Sequence, residues 1–248
     1  MKIEDIYKVI SLLDLTRLSE TTTEAEITAL CQKAVQPQTH VAAVCIPEAF
    51  VSQATKMLVD SSVKIATVAN FPQGTDTLDD VINSIAHSIQ AGADEIDVVF
   101  PYTRYLKGEK QAACDFIQAC KAACGNNILL KVILETGILQ EPDIIAEVSR
   151  NVLLAGADFL KTSTGKVAVG ATLTAATSML EVIREMSNKT HQVYGLKVSG
   201  GVNSLDLANQ YMSLAKNIMG ESFVTAKTFR IGTSQLYDVA IDLLKDAT

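Results

Sequence analysis

Two lysines interrupt apolar runs of the sequence and have the residue type and setting to do chemistry. Lys161 lies in DFLKTSTGKV (158–167), and Lys197 lies in VYGLKVS (193–199). A lysine is almost never fully buried unless it is paired, so each marks either an ion pair or a reactive site. If the two lie close together, each ammonium disfavours charge on the other, and partial burial adds to the effect. A lysine whose pKa falls from ~10.4 toward ~7–8 is an amine nucleophile that can form a Schiff base with a carbonyl substrate.

Three further polar groups occupy comparable positions. Asp14 ends the run LLDLT, Cys45 lies near the end of HVAAVCI, and Asp97 lies within DEIDVVF. One interpretation is structural, with Lys161 and Lys197 paired to Asp97 and Asp14 inside the fold and no catalytic role. Four charged residues at equivalent places favour a reactive site, but both interpretations stay open at this point.

Two short segments favour phosphate binding. VSGGVNS (198–204) contains Gly200 and Gly201, and IGTSQ (231–235) contains Gly232 and Ser234. Each places glycine and hydroxyl residues just before an expected helix, where backbone N–H groups can hold a phosphate. Thr164-Gly165-Lys166 is not a nucleotide-binding P-loop, because that pattern needs glycine at position 160 and a hydroxyl residue at position 167.

The elements that must position these residues alternate in type. Short β-branched or aliphatic runs are each followed by an amphipathic stretch, which predicts βαβ units and a parallel sheet. The eight strand-like runs are 12–16, 40–46, 63–71, 94–100, 127–135, 158–164, 193–199 and 228–234. We therefore predict an α/β fold, a (β/α)₈ TIM barrel preceded by an extra N-terminal helix, in one domain covering 1–248. The carboxyl ends of its strands would carry the site.

Composition narrows the classes of partner. Of 248 residues, 48% are hydrophobic, and the net charge is −7. We expect no nucleic-acid or membrane partner, since both need clustered positive charge or a long apolar segment. The opening MKIEDIYKVISLLD is typical of an amphipathic helix and not of a signal peptide, so we expect a cytoplasmic protein. Three scattered histidines and five cysteines without CxxC pairs predict no metal site.

Seven motifs, in order along nearly the whole chain, resemble the deoxyribose-phosphate aldolase family. They are DLT (14–16), ANFPQG (69–74), GADEIDVVFPY (92–102), LKVILETG (130–137), ADFLKTSTGK (157–166), LKVSGGV (196–202) and RIGTS (230–234). The resemblance implies reversible cleavage of 2-deoxy-D-ribose 5-phosphate to acetaldehyde and D-glyceraldehyde 3-phosphate, with no metal or cofactor. The resemblance is also compatible with a homodimer.

The resemblance also assigns roles to individual residues. Lys161 would form the Schiff base, Lys197 would depress its pKa, and Asp97 would relay protons. The residues expected to contact substrate hydroxyls are Asp14, Thr164 and Lys166. Those expected to line the phosphate pocket are Gly165, Gly200, Gly201, Gly232 and Ser234.

The chain departs from the family pattern at three places. Asn203 stands where an arginine is common, which removes a charge-assisted phosphate contact. Gln235 replaces a common serine, and the sequence ends at DLLKDAT without the terminal tyrosine of some members. Two alternatives remain: another Schiff-base phosphosugar aldolase or a transaldolase, and a non-catalytic phosphosugar-binding barrel.

Overall fold

The chain forms a closed barrel of eight parallel strands in a computed structural model that describes residues 2–246. The strands are β1 (Leu13–Thr16), β2 (Ala43–Ile46), β3 (Lys64–Ala69), β4 (Glu95–Val99), β5 (Leu129–Ile133), β6 (Phe159–Lys161), β7 (Gly195–Ser199) and β8 (Phe229–Thr233). Each pairs with the next, and β8 pairs with β1. Every predicted strand run contains a strand, so the predicted TIM barrel is confirmed. Met1, Ala247 and Thr248, the ends of the expected domain, lie outside the described residues.

Helices separate the strands. Within residues 2–246 the α-helices are α1 (Ile3–Ile10), α2 (Glu24–Ala34), α3 (Val51–Leu58), α4 (Leu78–Ala91), α5 (Tyr102–Leu106), α6 (Lys110–Cys124), α7 (Thr136–Leu139), α8 (Pro142–Leu154), α9 (Leu173–Thr190), α10 (Leu205–Met219) and α11 (Leu236–Asp246). The predicted extra helix is α1, which buries Ile6, Val9 and Ile10. It precedes β1 and packs against α10 and α11.

Local sequence explains where several helices begin. Thr23, Thr77, Thr172 and Ser204 are N-cap residues, and each side chain accepts a hydrogen bond from a backbone N–H three residues later. Such caps satisfy donors that have no partner within the helix. The apolar faces of these helices and the outward-facing aliphatic side chains of the strands form the main core.

The strand register brings charged residues of neighbouring strands side by side. Asp97 is aligned with Lys131 of β5, and Lys197 of β7 is aligned with Lys161 on one side and Arg230 of β8 on the other. Alternate residues of a strand point to the same face. The charged side chains of these strands are buried, so they share the inside of the barrel.

Candidate active site

A cavity of about 370 Å³ opens at the carboxyl ends of the barrel strands. Its lining residues are Thr16, Arg17, Leu18, Ser19, Lys161, Thr164, Gly165, Lys166, Ser199, Gly200, Gly201, Val202, Asn203, Gly232, Thr233, Ser234 and Gln235. Eight of the eleven site residues expected from the sequence are among them. Asp14, Asp97 and Lys197 are the other three, and all are fully buried beneath the cavity-lining layer.

Lys161 lies where the cavity meets the barrel interior. Its side chain is only 4% exposed, and Nζ lies 2.7 Å from Oδ2 of Asp97. The Nζ of Lys197 lies 2.7 Å from the same oxygen. The structure therefore brings the two lysines and Asp97 together. Of the three, only Lys161 lines the cavity, so a substrate in the cavity can reach its amine first.

Beneath Lys161, six charged side chains form a closed ring of alternating sign. Lys197 Nζ lies 2.6 Å from Oδ2 of Asp14, whose Oδ1 accepts a hydrogen bond from Arg230 at 2.7 Å. Arg230 also donates to Glu95, with Nη2 and Oε1 2.9 Å apart.

Lys131 closes the ring. Its Nζ lies 2.6 Å from Glu95 Oε2 and 2.8 Å from Asp97 Oδ1. Going round the ring, each cation thus bridges the two carboxylates beside it, and Lys131 Nζ also lies 3.8 Å from Asp14 Oδ2 across the ring. We call these six residues the charge ring: Asp14, Glu95, Asp97, Lys131, Lys197 and Arg230. The inside of a TIM barrel is usually filled with branched aliphatic side chains, so a ring of charges there is a special feature of this site.

The two neighbouring lysines are shifted in opposite directions. Burial, assisted by the charge of Lys197, lowers the pKa of Lys161 in spite of the opposing attraction of Asp97. Burial also acts to lower the pKa of Lys197, but the carboxylates of Asp14 and Asp97 outweigh it and hold that pKa well above its usual range. The sequence predicted mutual depression between the lysines; the structure assigns the lowered pKa to Lys161 alone.

The pKa values of the two aspartates beside these lysines are both lowered. Burial opposes ionisation of Asp97, but Lys131, Lys161 and Lys197 together hold its pKa well below its usual range. The pKa of Asp14 is likewise lowered, because Lys197 and Arg230 outweigh burial. Both carboxylates are therefore ionised at neutral pH.

The loop after β6 is held in place by Glu135, a fully buried residue just beyond β5. Ser163 Oγ donates to Glu135 Oε1 at 2.6 Å, and Thr164 donates through both its hydroxyl and its backbone N–H. Ser163 Oγ also accepts from the Gly165 N–H at 3.0 Å. These bonds place Thr164, Gly165 and Lys166 along the cavity wall.

Two glycine loops form another wall of the cavity. Gly200 and Gly201 both adopt a φ of about +90°, a conformation that side-chain-bearing residues rarely adopt. A Cβ on Gly200 would lie 2.9 Å from Gly170 Cα, and one on Gly232 would lie 3.0 Å from Lys197 Cε. Glycine is thus required here both for the turn and for the close approach of the loops to neighbouring chain segments.

The sequence model of DeoC/LacD family aldolases matches residues 8–222, from the first helix to beyond α10. The chain belongs to this aldolase family. The match ends before β8, so Arg230, Gly232 and Ser234 of this DeoC/LacD aldolase lie outside it.

Solved structures agree with the fold of this DeoC/LacD aldolase. A Toxoplasma gondii protein provisionally named a deoxyribose-phosphate aldolase has a TM-score of 0.88 at 22% identity, covering 98% of this chain and 95% of its own. One from Coccidioides immitis, also provisionally named, has a TM-score of 0.83 at 27% identity, covering 96% and 87%. The deoxyribose phosphate aldolase of Aeropyrum pernix, described as tetrameric, has a TM-score of 0.76 at 23% identity, covering 100% of both chains.

Several residues of the aldolase site were not anticipated from the sequence. Glu95, Lys131 and Arg230 belong to the charge ring. Lys131 and Arg230 interrupt apolar runs as Lys161 does, whereas Glu95 directly follows Asp94. Arg17 adds a cation to the cavity lining, where it pairs with Glu26 of α2.

Two groups that the sequence singled out at strand ends, Asp14 and Cys45, are fully buried. Asp14 is engaged by Lys197 and Arg230 and does not line the cavity, so its expected contact with a substrate hydroxyl stays a prediction. Cys45 is also fully buried, and burial raises the pKa of its thiol, which leaves it uncharged at neutral pH.

No helix within residues 2–246 is long and apolar enough to cross a membrane.

Proposed function

We propose that this aldolase cleaves 2-deoxy-D-ribose 5-phosphate reversibly to acetaldehyde and D-glyceraldehyde 3-phosphate through a Schiff base on Lys161. The observation that carries the proposal is the position of Lys161, a buried lysine with a lowered pKa whose amine lines the cavity. The motifs that resemble deoxyribose-phosphate aldolases and the family membership support the same reaction. The interpretation of the lysines as ion pairs is compatible with it, because both pairs form and Lys161 still faces the cavity.

The chemistry proceeds through an imine. The neutral Nζ of Lys161 attacks the aldehyde carbon of the open-chain sugar, and loss of water from the carbinolamine gives a protonated imine. This imine accepts the electron pair of the C2–C3 bond as that bond breaks, while a base takes the proton of the C3 hydroxyl. Glyceraldehyde 3-phosphate leaves, the enamine is protonated, and water releases acetaldehyde. The imine itself is the electron sink, so the reaction needs no metal or cofactor.

Asp97 and Lys197 are the proposed proton carriers. Asp97 Oδ2 lies 2.7 Å from both lysine nitrogens, so one oxygen connects the reacting amine to a persistent ammonium. The cationic Lys197 can supply a proton to the enamine, and the ionised Asp97 can orient that transfer through hydrogen bonds. The charge of Lys197 also disfavours a second ammonium at Lys161, although Asp97 opposes this effect.

The phosphate is proposed to lie against the loops that precede α10 and α11. Gly165, Gly200, Gly201, Gly232 and Ser234 line this part of the cavity. Thr164 and Lys166 are proposed to contact substrate hydroxyls. Binding energy from the phosphate, remote from the bond that breaks, can orient the reacting carbon. Loss of the phosphate should therefore reduce kcat as well as affinity.

A substrate panel tests the reaction. We expect cleavage of 2-deoxyribose 5-phosphate to exceed that of fructose 1,6-bisphosphate and of transaldolase substrates, measured by the release of each aldehyde product. Lys161→Met should lower kcat by more than about 10³-fold, because it removes the nucleophile. Lys166→Met makes the same chemical change at another cavity lysine and should mainly raise KM.

Two results would reject the proposal. Faster cleavage of another phosphosugar would indicate a different aldolase or a transaldolase. Binding of 2-deoxyribose 5-phosphate without turnover would indicate a phosphosugar-binding barrel.

The assembly and location are further parts of the proposal. We propose that residues 1–248 act as one aldolase domain in the cytoplasm, and that copies associate at least as a homodimer. Exposed apolar side chains such as Val59, Leu154 and Val193 offer contact surface for a second copy. Light scattering coupled to gel filtration decides the assembly, and a monomer at micromolar concentration would contradict it.

A further inference from the structure

The charge ring is neutral as a unit. Asp14, Glu95 and Asp97 contribute three negative charges, and Lys131, Lys197 and Arg230 contribute three positive charges. All six side chains are at most 5% exposed. An unbalanced charge in such a place is costly, whereas a fully paired set is tolerated. The ring therefore already satisfies its own charges.

Lys161 is a seventh ionisable group attached to this neutral ring. Its Nζ shares Asp97 Oδ2 with Lys197 and contacts no second carboxylate among the described residues. A proton on Lys161 would give the buried set one excess positive charge. The net charge of the ring together with Lys161 is therefore zero when Lys161 is an uncharged amine.

We propose that Glu95, Lys131 and Arg230, which are remote from the cavity, are positioning residues that keep Lys161 an uncharged amine by completing the charge balance of Asp14, Asp97 and Lys197. The inference deepens the proposed function, on which its catalytic consequence rests. Glu95 and Arg230 lie toward the opposite end of the barrel, where both line a separate cavity with His40, Lys64 and Lys227. They act on Lys161 through the ring and touch no substrate.

Other ionisable groups of this region of the barrel lie outside the charge ring. Cys45 of β2 is uncharged. Glu135 beyond β5 accepts hydrogen bonds from Ser163 and Thr164 and forms no salt bridge within residues 2–246. The remaining groups lie at the cavity or on α5: Arg17, Lys166 and Tyr102. None of these changes when Glu95 or Lys131 is substituted, so variants of the ring isolate its contribution.

The direction in which each substitution shifts the pKa of Lys161 follows from the charge that it removes. Lys131→Met leaves the ring with one excess negative charge, which favours the ammonium of Lys161 and raises the pH needed to free the amine. Glu95→Gln leaves one excess positive charge, which disfavours that ammonium and lowers the required pH. The double variant Lys131→Met/Glu95→Gln is neutral again and should return to the wild-type value. Lys131→Arg keeps the charge and should also leave it unchanged.

Competitive acetylation measures the pH at which Lys161 becomes an uncharged amine, and it needs no substrate. The protein is treated with trace acetic anhydride across a pH series, and peptide mass mapping gives the fraction of Lys161 acetylated, with exposed Lys56 as the internal reference. We expect the midpoint for Lys161 to rise by about one pH unit in Lys131→Met and to fall by a similar amount in Glu95→Gln. Reductive trapping of acetaldehyde over the same pH series should show the same shifts.

The outcomes are distinct. Midpoints that shift in opposite directions and recover in the double variant support the proposal. Midpoints that stay unchanged, or that move in the same direction, in variants with wild-type circular dichroism would overturn it. If Lys131→Met does not fold, the isosteric Glu95→Gln alone decides by the direction of its shift. If the acetylation midpoints shift as expected but no variant forms an acetaldehyde adduct, the proposed function is rejected, while the effect of the charge ring on Lys161 is supported.

Discussion

At the scale of single residues, two lysines on neighbouring strands differ because their partners differ. Lys197 Nζ lies within 2.7 Å of two carboxylates, Asp14 and Asp97, while Lys161 Nζ pairs with one carboxylate of residues 2–246, that of Asp97. Desolvation acts to lower the pKa of both lysines. The second carboxylate decides which side chain stays an ammonium, and the lysine with the lowered pKa is the one that also lines the cavity.

Arg17 is the residue that we expect to compensate for Asn203. It lines the cavity, and within residues 2–246 its buried Nε has no hydrogen-bond partner. We predict that Arg17→Leu raises KM for 2-deoxyribose 5-phosphate about tenfold, the effect of losing one charge-assisted hydrogen bond. Steady-state kinetics with phosphorylated and unphosphorylated 2-deoxyribose measure this.

The same substitution at an unrelated arginine is the control. Arg184→Leu on α9 removes an exposed guanidinium and should leave both substrates unaffected. Asn203→Arg in the Arg17→Leu background should recover part of the affinity. An equal loss for the unphosphorylated sugar would show that Arg17 acts on the fold and not on the phosphate.

At the scale of elements, the loop from β7 to α10 depends on backbone conformations that only glycine adopts easily. Gly200 combines a φ of +90° with a neighbouring Gly170 Cα that a Cβ would approach to 2.9 Å. We predict that Gly200→Ala destabilises the fold by about 1–3 kcal/mol, lowers Tm by several degrees and weakens substrate binding. Thermal unfolding and KM measure the two effects.

Gly220 provides a matched comparison for the same change. It has a φ of +93°, and a Cβ added there would have no atom within 4 Å, so Gly220→Ala carries the conformational cost without the contact. It should destabilise less and leave KM unchanged. Equal effects of the two substitutions would mean that the contact with Gly170 is unimportant.

The strands could be predicted from the sequence because buried parallel strands are short, nearly continuous apolar runs. Cavity residues could be predicted because the carboxyl ends of barrel strands form one rim. The ring partners were missed for a physical reason. Lys131 aligns with Asp97 and Arg230 with Lys197 only through the strand register, which a single sequence does not specify. Glu95 lies two residues before Asp97 and shares its face, so the period of the strand could have revealed it.

At the scale of the whole molecule, the lowered pKa of Lys161 depends on closure of the barrel. The charge ring draws its members from β1, β4, β5, β7 and β8, and Lys161 comes from β6. No segment of the chain contains more than two ring residues close together, so the balance of charges exists only in the folded barrel. Opening the barrel would return Lys161 to water and to the ordinary pKa of a lysine.

Reductive trapping tests directly whether Lys161 is the amine that forms the Schiff base. The protein is incubated with acetaldehyde at neutral pH, reduced with sodium borohydride and digested for peptide mass mapping. We predict a stable ethyl adduct on Lys161, none on Lys197, and loss of aldolase activity in proportion to the adduct. An unmodified Lys161 in a protein that retains full aldolase activity, or an adduct on Lys197 in its place, would show that Lys161 does not form the Schiff base.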